Sequence, residues 1–98
     1  MKIRKLELKT IDGLKYAELV EVVIQGSSTP EEVLKAVKIA DELESNPTSL
    51  LLDNESYQYL TSRLGKVPWN ATKENRKALA AFITDVRDLK EEDAKLAN

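Results

Sequence analysis

Residues 16–26, YAELVEVVIQG, decide how much of this chain is helical, because they fit two periods at once. Tyr16, Leu19, Val20 and Val23 fall at i, i+3, i+4 and i+7, the spacing of a helix face. Val20, Val22 and Ile24 alternate and are β-branched, which suits a strand. The reading taken is a short helix over 17–25 that ends before Gly26, a residue at ease in the left-handed position after a helix end.

Upstream, KIRKLELKT alternates: Leu6, Leu8 and Thr10 point one way and Lys5, Glu7 and Lys9 the other. Asp12-Gly13 is a hairpin signal, so Leu14 to Tyr16 is expected as a short return strand within a 1–16 strand or hairpin region. Downstream, STPEEV offers Thr29 as N-cap, Pro30 at the first helical position and Glu32 three residues on. That is a capping box, in which each side chain satisfies a backbone donor at the other end. A helix over 30–44 follows, with Val33, Ala36, Val37, Ala40 and Leu43 on one stripe, stopped by Asn46-Pro47.

Leu50–Leu52 reads as a short buried strand able to pair with the first. Asp53 caps a helix over 54–64 with Tyr57, Leu60, Thr61 and Leu64 inward and Gly65 closing it. A last helix over 71–89, capped at Asn70 or Thr72, carries Leu79, Phe82, Ile83 and Val86 at core spacing. Residues 90–98 read as a frayed tail. The expected fold is α+β and mostly helical: one domain, with an N-terminal β-hairpin or small sheet and about four packed helices.

Composition narrows the chemistry. The 98 residues are 42% hydrophobic and 33% charged, a balance that suits a folded domain with a charge-rich surface. There is no cysteine and no histidine, which removes thiolate nucleophiles, Ser-His and Cys-His dyads and the usual zinc ligands. Asp41 with Glu44, and Asp85 with Asp88 and Glu92, share helix faces and read first as solvated helix surface. No phosphate-binding glycine loop, cation-binding loop or nucleophile elbow is present, so no cofactor and no enzyme activity are expected. No apolar run is long enough to span a membrane, and charges interrupt MKIRKLELK, so the chain reads as cytoplasmic and without a signal peptide. The sequons at Asn54 and Asn70 are then chance matches.

Charge is uneven. Residues 17–55 carry two bases and nine acids, −7, and residues 56–77 carry five bases and one acid, +4. The positive block includes the single tryptophan: Arg63, Lys66, Trp69, Lys73, Arg76 and Lys77 form the candidate interaction surface. One reading makes it a nucleic-acid module, with Trp69 stacked on a base and the cations on phosphates. The loop from Gly65 to about Asn70 is longer than a helix-turn-helix turn, and ENRKALAAF offers few side chains to read base edges. The other reading turns Val67 and Trp69 inward across Pro68, as a plug between two helices with a basic rim.

The order of features (a short basic strand, TIDG, STPEEVLKAVKIADELE, LLLDNESYQYL, one tryptophan, a final AFITDV helix) resembles small accessory proteins of tailed phages and prophages. The resemblance is one of pattern over most of the chain. It implies a phage or prophage context in the host cytoplasm and assigns no functional residue. The leading expectation is a non-enzymatic protein–protein interaction or assembly protein, self-associating or docking to a charged protein partner. A nucleic-acid-binding module on residues 63–77 is the alternative.

Overall fold

The computed structural model describes residues 2–26, 29–46 and 48–93. The fold is α+β, with four helices beside two small antiparallel sheets. Strand β1 (Lys2–Glu7) is central in a three-stranded sheet between β4 (Ser49–Leu52) and β5 (Glu92–Asp93). Leu6 pairs with Leu50 and Arg4 with Leu52; Leu6, Leu50 and Leu52 are all buried. β2 (Thr10–Ile11) and β3 (Leu14–Lys15) make a separate hairpin. Its turn residues Asp12 and Gly13 have φ of 51° and 83°, the two positive values of a type I′ turn.

The expected return strand forms over Leu14–Lys15 and is corrected at Tyr16, which opens a helix. It returns against Thr10–Ile11, while β1 pairs with β4, as expected from the leucines at 50–52, and with β5. The leucines of β4 give β1 far more apolar surface than a two-residue return strand does.

Helix α1 (Tyr16–Ile24) buries Tyr16, Leu19, Val20, Val23 and Ile24, and Gly26 follows it with φ 77°. The helical period wins over the alternating one because it puts all five on one side. Helix α2 (Pro30–Ser45) starts at the full capping box: Thr29 Oγ1 accepts from Glu32 N–H at 3.2 Å and Glu32 Oε1 from Thr29 N–H at 3.3 Å. Helix α3 (Asn54–Leu64) is capped by Asp53, which accepts from Ser56 N–H at 2.8 Å. Tyr59 joins Leu60 and Leu64 inside, while Tyr57 and Thr61 are only half-buried. The Tyr57 hydroxyl instead lies 3.0 Å from the carbonyls of both Val86 and Arg87, at the end of the last helix. Gly65 has an ordinary right-handed φ of −77°.

Helix α4 (Arg76–Arg87) is shorter at both ends than the expected 71–89. Thr72 and Asn75 hold each other's backbone N–H in a reciprocal turn, which delays the regular helix to Arg76. At the other end Leu89 has left the helix, and its carbonyl accepts from Arg4 Nε. The tail is corrected as well: Glu92 and Asp93 pair with Ile3 and Lys2 at the sheet edge, and residues 94–98 lie outside the described residues.

The core runs from the sheet through α1 and α3 to α4. At its centre Phe82 meets the edge of Tyr16 at 5.0 Å between ring centroids.

Candidate interaction surface

Two members of the basic stretch are committed to the fold. Arg63 leaves the last turn of α3 and reaches back to α1, donating from Nε to the Val23 carbonyl (3.2 Å) and from Nη2 to the Gln25 carbonyl (2.7 Å). Helix α1 has no basic residue in its own last turn, so Arg63 supplies donors to carbonyls that a helix end leaves unpaired. A Cβ on Gly26 would come within 3.3 Å of Arg63 Nη2, and the positive φ also favours glycine there. Removing the fork with Arg63→Ala is expected to cost about 1–3 kcal/mol of folding stability. Arg63→Lys should recover less than half of it, since one ammonium cannot span both carbonyls. Urea denaturation of the three chains checks this; equal midpoints for wild type and Arg63→Ala would remove the clamp.

Trp69 is half-buried. Its Nε1–H donates to the Leu64 carbonyl at 3.0 Å, and its ring meets Phe82 at 6.2 Å and 61°. Val67 packs beside it on the core. The indole therefore closes the gap between α3 and α4 and does not stand out as a stacking platform. Lys66, Lys73, Arg76 and Lys77 remain exposed. Arg76 and Lys77 occupy the first turn of α4, which has no acid, so their charge adds to the positive end of the helix dipole. The structure thus divides the six candidate residues: Arg63 and Trp69 are structural, and four cations form the rim.

The larger exposed feature lies on α2. The stripe expected to face the core is covered only in part: Ala36, Ala40 and Leu43 pack half-buried against the core beside the fully buried Ile39, and its N-terminal end is open. Val33, Leu34 and Val37 are 45%, 71% and 52% exposed. Val33 and Val37 face the last turn of α1 across an open groove, beside Ile24, Gln25 and Gly26, and are not covered by it. Val22 on α1 is also exposed, at 42%.

Val33 and Val37 border one open groove at the end of α1, and Val22 borders another. The first lies between α1 and α2, with Ile24, Val33, Ala36, Val37 and Ala40 on its walls and Glu21 beside them. The second lies between α1 and the end of α3, with Val22, Val67 and Pro68 on its walls and Arg63 and Lys66 at its rim. Gln25 and Gly26 form the ridge common to both. Sequence periodicity marks the α2 stripe as apolar but carries no signal for whether a neighbour covers it.

The other charged contacts hold elements together. Lys38 bonds Asp53 and so ties α2 to the cap of α3. Burial works to raise the Asp53 carboxyl, but the bonds from Lys38 and from the Ser56 backbone and hydroxyl outweigh it and hold it below the ordinary carboxylate value. The same bond raises Lys38 above an ordinary lysine. Tyr16 Oη donates to Asp85 at 2.6 Å, with Lys9 Nζ 3.3 Å from the same carboxylate oxygen. Among the described residues no three acid side chains gather closely enough to hold a metal ion, and no helix is long and apolar enough to cross a membrane. No family model, curated protein or solved structure matches the chain.

Proposed function

We propose that this chain is a non-enzymatic protein–protein interaction or assembly module that works through the apolar face of α1 and α2. One observation carries the reading: Val33, Leu34 and Val37, neighbours on the first turns of α2, stand exposed in water, with Val22 exposed on α1. Exposed aliphatic surface is unfavourable by about 25 cal/mol per Å² relative to burial, and a contiguous patch of it marks an interaction site. A phage or prophage setting belongs to the same proposal and rests on the pattern resemblance alone.

Site-specific photo-crosslinking tests the reading in the expressing cell. A benzophenone amino acid at position 34 is expected to give protein adducts, whereas the same probe at the exposed Lys15 is expected to give none. Equal labelling from both positions, or none from position 34, would refute it. Leu34→Glu is the companion variant. Its side chain is 71% exposed, so folding stability should change by no more than about 0.5 kcal/mol while the adducts of a wild-type competitor are undiminished by it.

A further inference from the structure

We infer that the occupant of this face is a second copy of the chain, related by a two-fold axis, with α2 of each molecule seated in the groove between α1 and residues 63–68 of the other. The inference rests on the proposed role of the α1–α2 face as a contact. It adds the partner and the pairing.

Shape comes first. One molecule carries both halves of the contact. Leu34 and Val37 project from α2, and the second groove offers Val22, Val67 and Pro68 to receive them. Val37 and the receiving groove both adjoin the Gln25–Gly26 end of α1, so they are neighbours on the surface. That adjacency suits a closed dimer, in which the same patch serves on both partners.

Charge points the same way. Asp41 stands four residues after Val37 and seven after Leu34, so helical spacing puts it on the projecting side of α2. Lys66 stands at the rim of the receiving groove. Both are exposed, and neither makes an ion pair within its own molecule among the described residues. Seating α2 in the partner's groove brings Asp41 toward Lys66, and the two-fold axis repeats the match. A dimer of ordinary size buries about 800 Å² per partner. That is roughly an eighth of the 6443 Å² surface of this molecule.

Sedimentation equilibrium of the full chain, with a charge swap, tests the pairing. Wild type is expected to dimerise, and added salt to weaken the dimer. Lys66→Glu and Asp41→Lys should each raise the dimer dissociation constant about tenfold or more, and the two together should return it to within about threefold of wild type. Leu34→Glu should leave a monomer. Circular dichroism confirms folding of each variant, since all three positions are exposed. A wild-type monomer up to millimolar concentration would overturn the inference. So would a double variant as weak as the two single effects combined. If the wild type is a monomer yet position 34 still crosslinks to a different protein, the second copy falls and the interaction reading stands. A monomer with no adduct removes both.

Discussion

Phe82→Ala is expected to remove about 3–5 kcal/mol of stability, a third or more of what a domain of this size commonly has. Phe82 is fully buried and is the only phenylalanine in the chain. Its ring takes the edge of Tyr16 on one side at 5.0 Å and 78°, and Trp69 on the other at 6.2 Å and 61°. Truncation therefore opens a cavity where α1, α4 and the 65–70 loop meet, and both neighbouring rings lose their partner. On a 98-residue chain the melting temperature should fall by on the order of 20 °C. Trp69 reports the same event, because an indole that loses its packing against Phe82 gains water and its emission moves to the red. Phe82→Leu keeps most of the volume and should cost about a third as much, which leaves a folded chain to measure if the alanine variant does not fold. A melting temperature for Phe82→Ala within about 5 °C of wild type would mean that the aromatic cluster is not the centre of this core.

The parts of the fold legible in the sequence are those set by neighbours in the chain. Thr29 and Glu32 satisfy each other across three residues, and Asp12-Gly13 makes its turn with its own backbone, so composition alone marks both. The leucines at 50–52 were legible as a partner for the first strand, since a run too short for a helix must find one. Arg63 was not legible as a clamp. Its acceptors lie 40 and 38 residues away, and an arginine among basic neighbours looks the same whether it faces phosphate or carbonyl. The start of α4 was misplaced because Thr72 caps a turn that closes on Asn75 and not a continuous helix. The α2 stripe was legible as a face but not in what covers it. Its period was plain, but periodicity locates an apolar face and cannot supply the neighbour that would cover it: Ala36, Ala40 and Leu43 find the core, while Val33 and Val37 do not.

Above pH 10 this protein is expected to lose stability that a Tyr16→Phe variant keeps. The Tyr16 ring is fully buried at the first turn of α1, and its hydroxyl donates to Asp85 on α4 at 2.6 Å. Burial, the bond to Asp85 and the negative charge of that carboxylate all push the phenol above its ordinary value near 10. The sign follows from which state releases the proton. In the unfolded chain Tyr16 ionises as pH passes 10, while in the folded protein it stays protonated, so every further unit of pH favours unfolding. The contribution is complete below pH 10 and falls above it by up to about 1.4 kcal/mol per unit. The total is then about 2–3 kcal/mol by pH 12, with the lower end favoured because Asp85 is 39% exposed and admits water to the hydroxyl. Urea unfolding at pH 8, 10, 11 and 12 on both chains isolates the effect. Tyr57 and Tyr59 are present in each, so the difference belongs to Tyr16. At pH 8 the phenylalanine variant should be the weaker by about 1–3 kcal/mol, having lost a hydrogen bond to a charged group. The two stability curves should then converge as pH rises. Curves that stay parallel through pH 12 would show that the hydroxyl is as free to ionise in the folded protein as in the unfolded chain, and the Tyr16–Asp85 bond would then not be what joins α1 to α4.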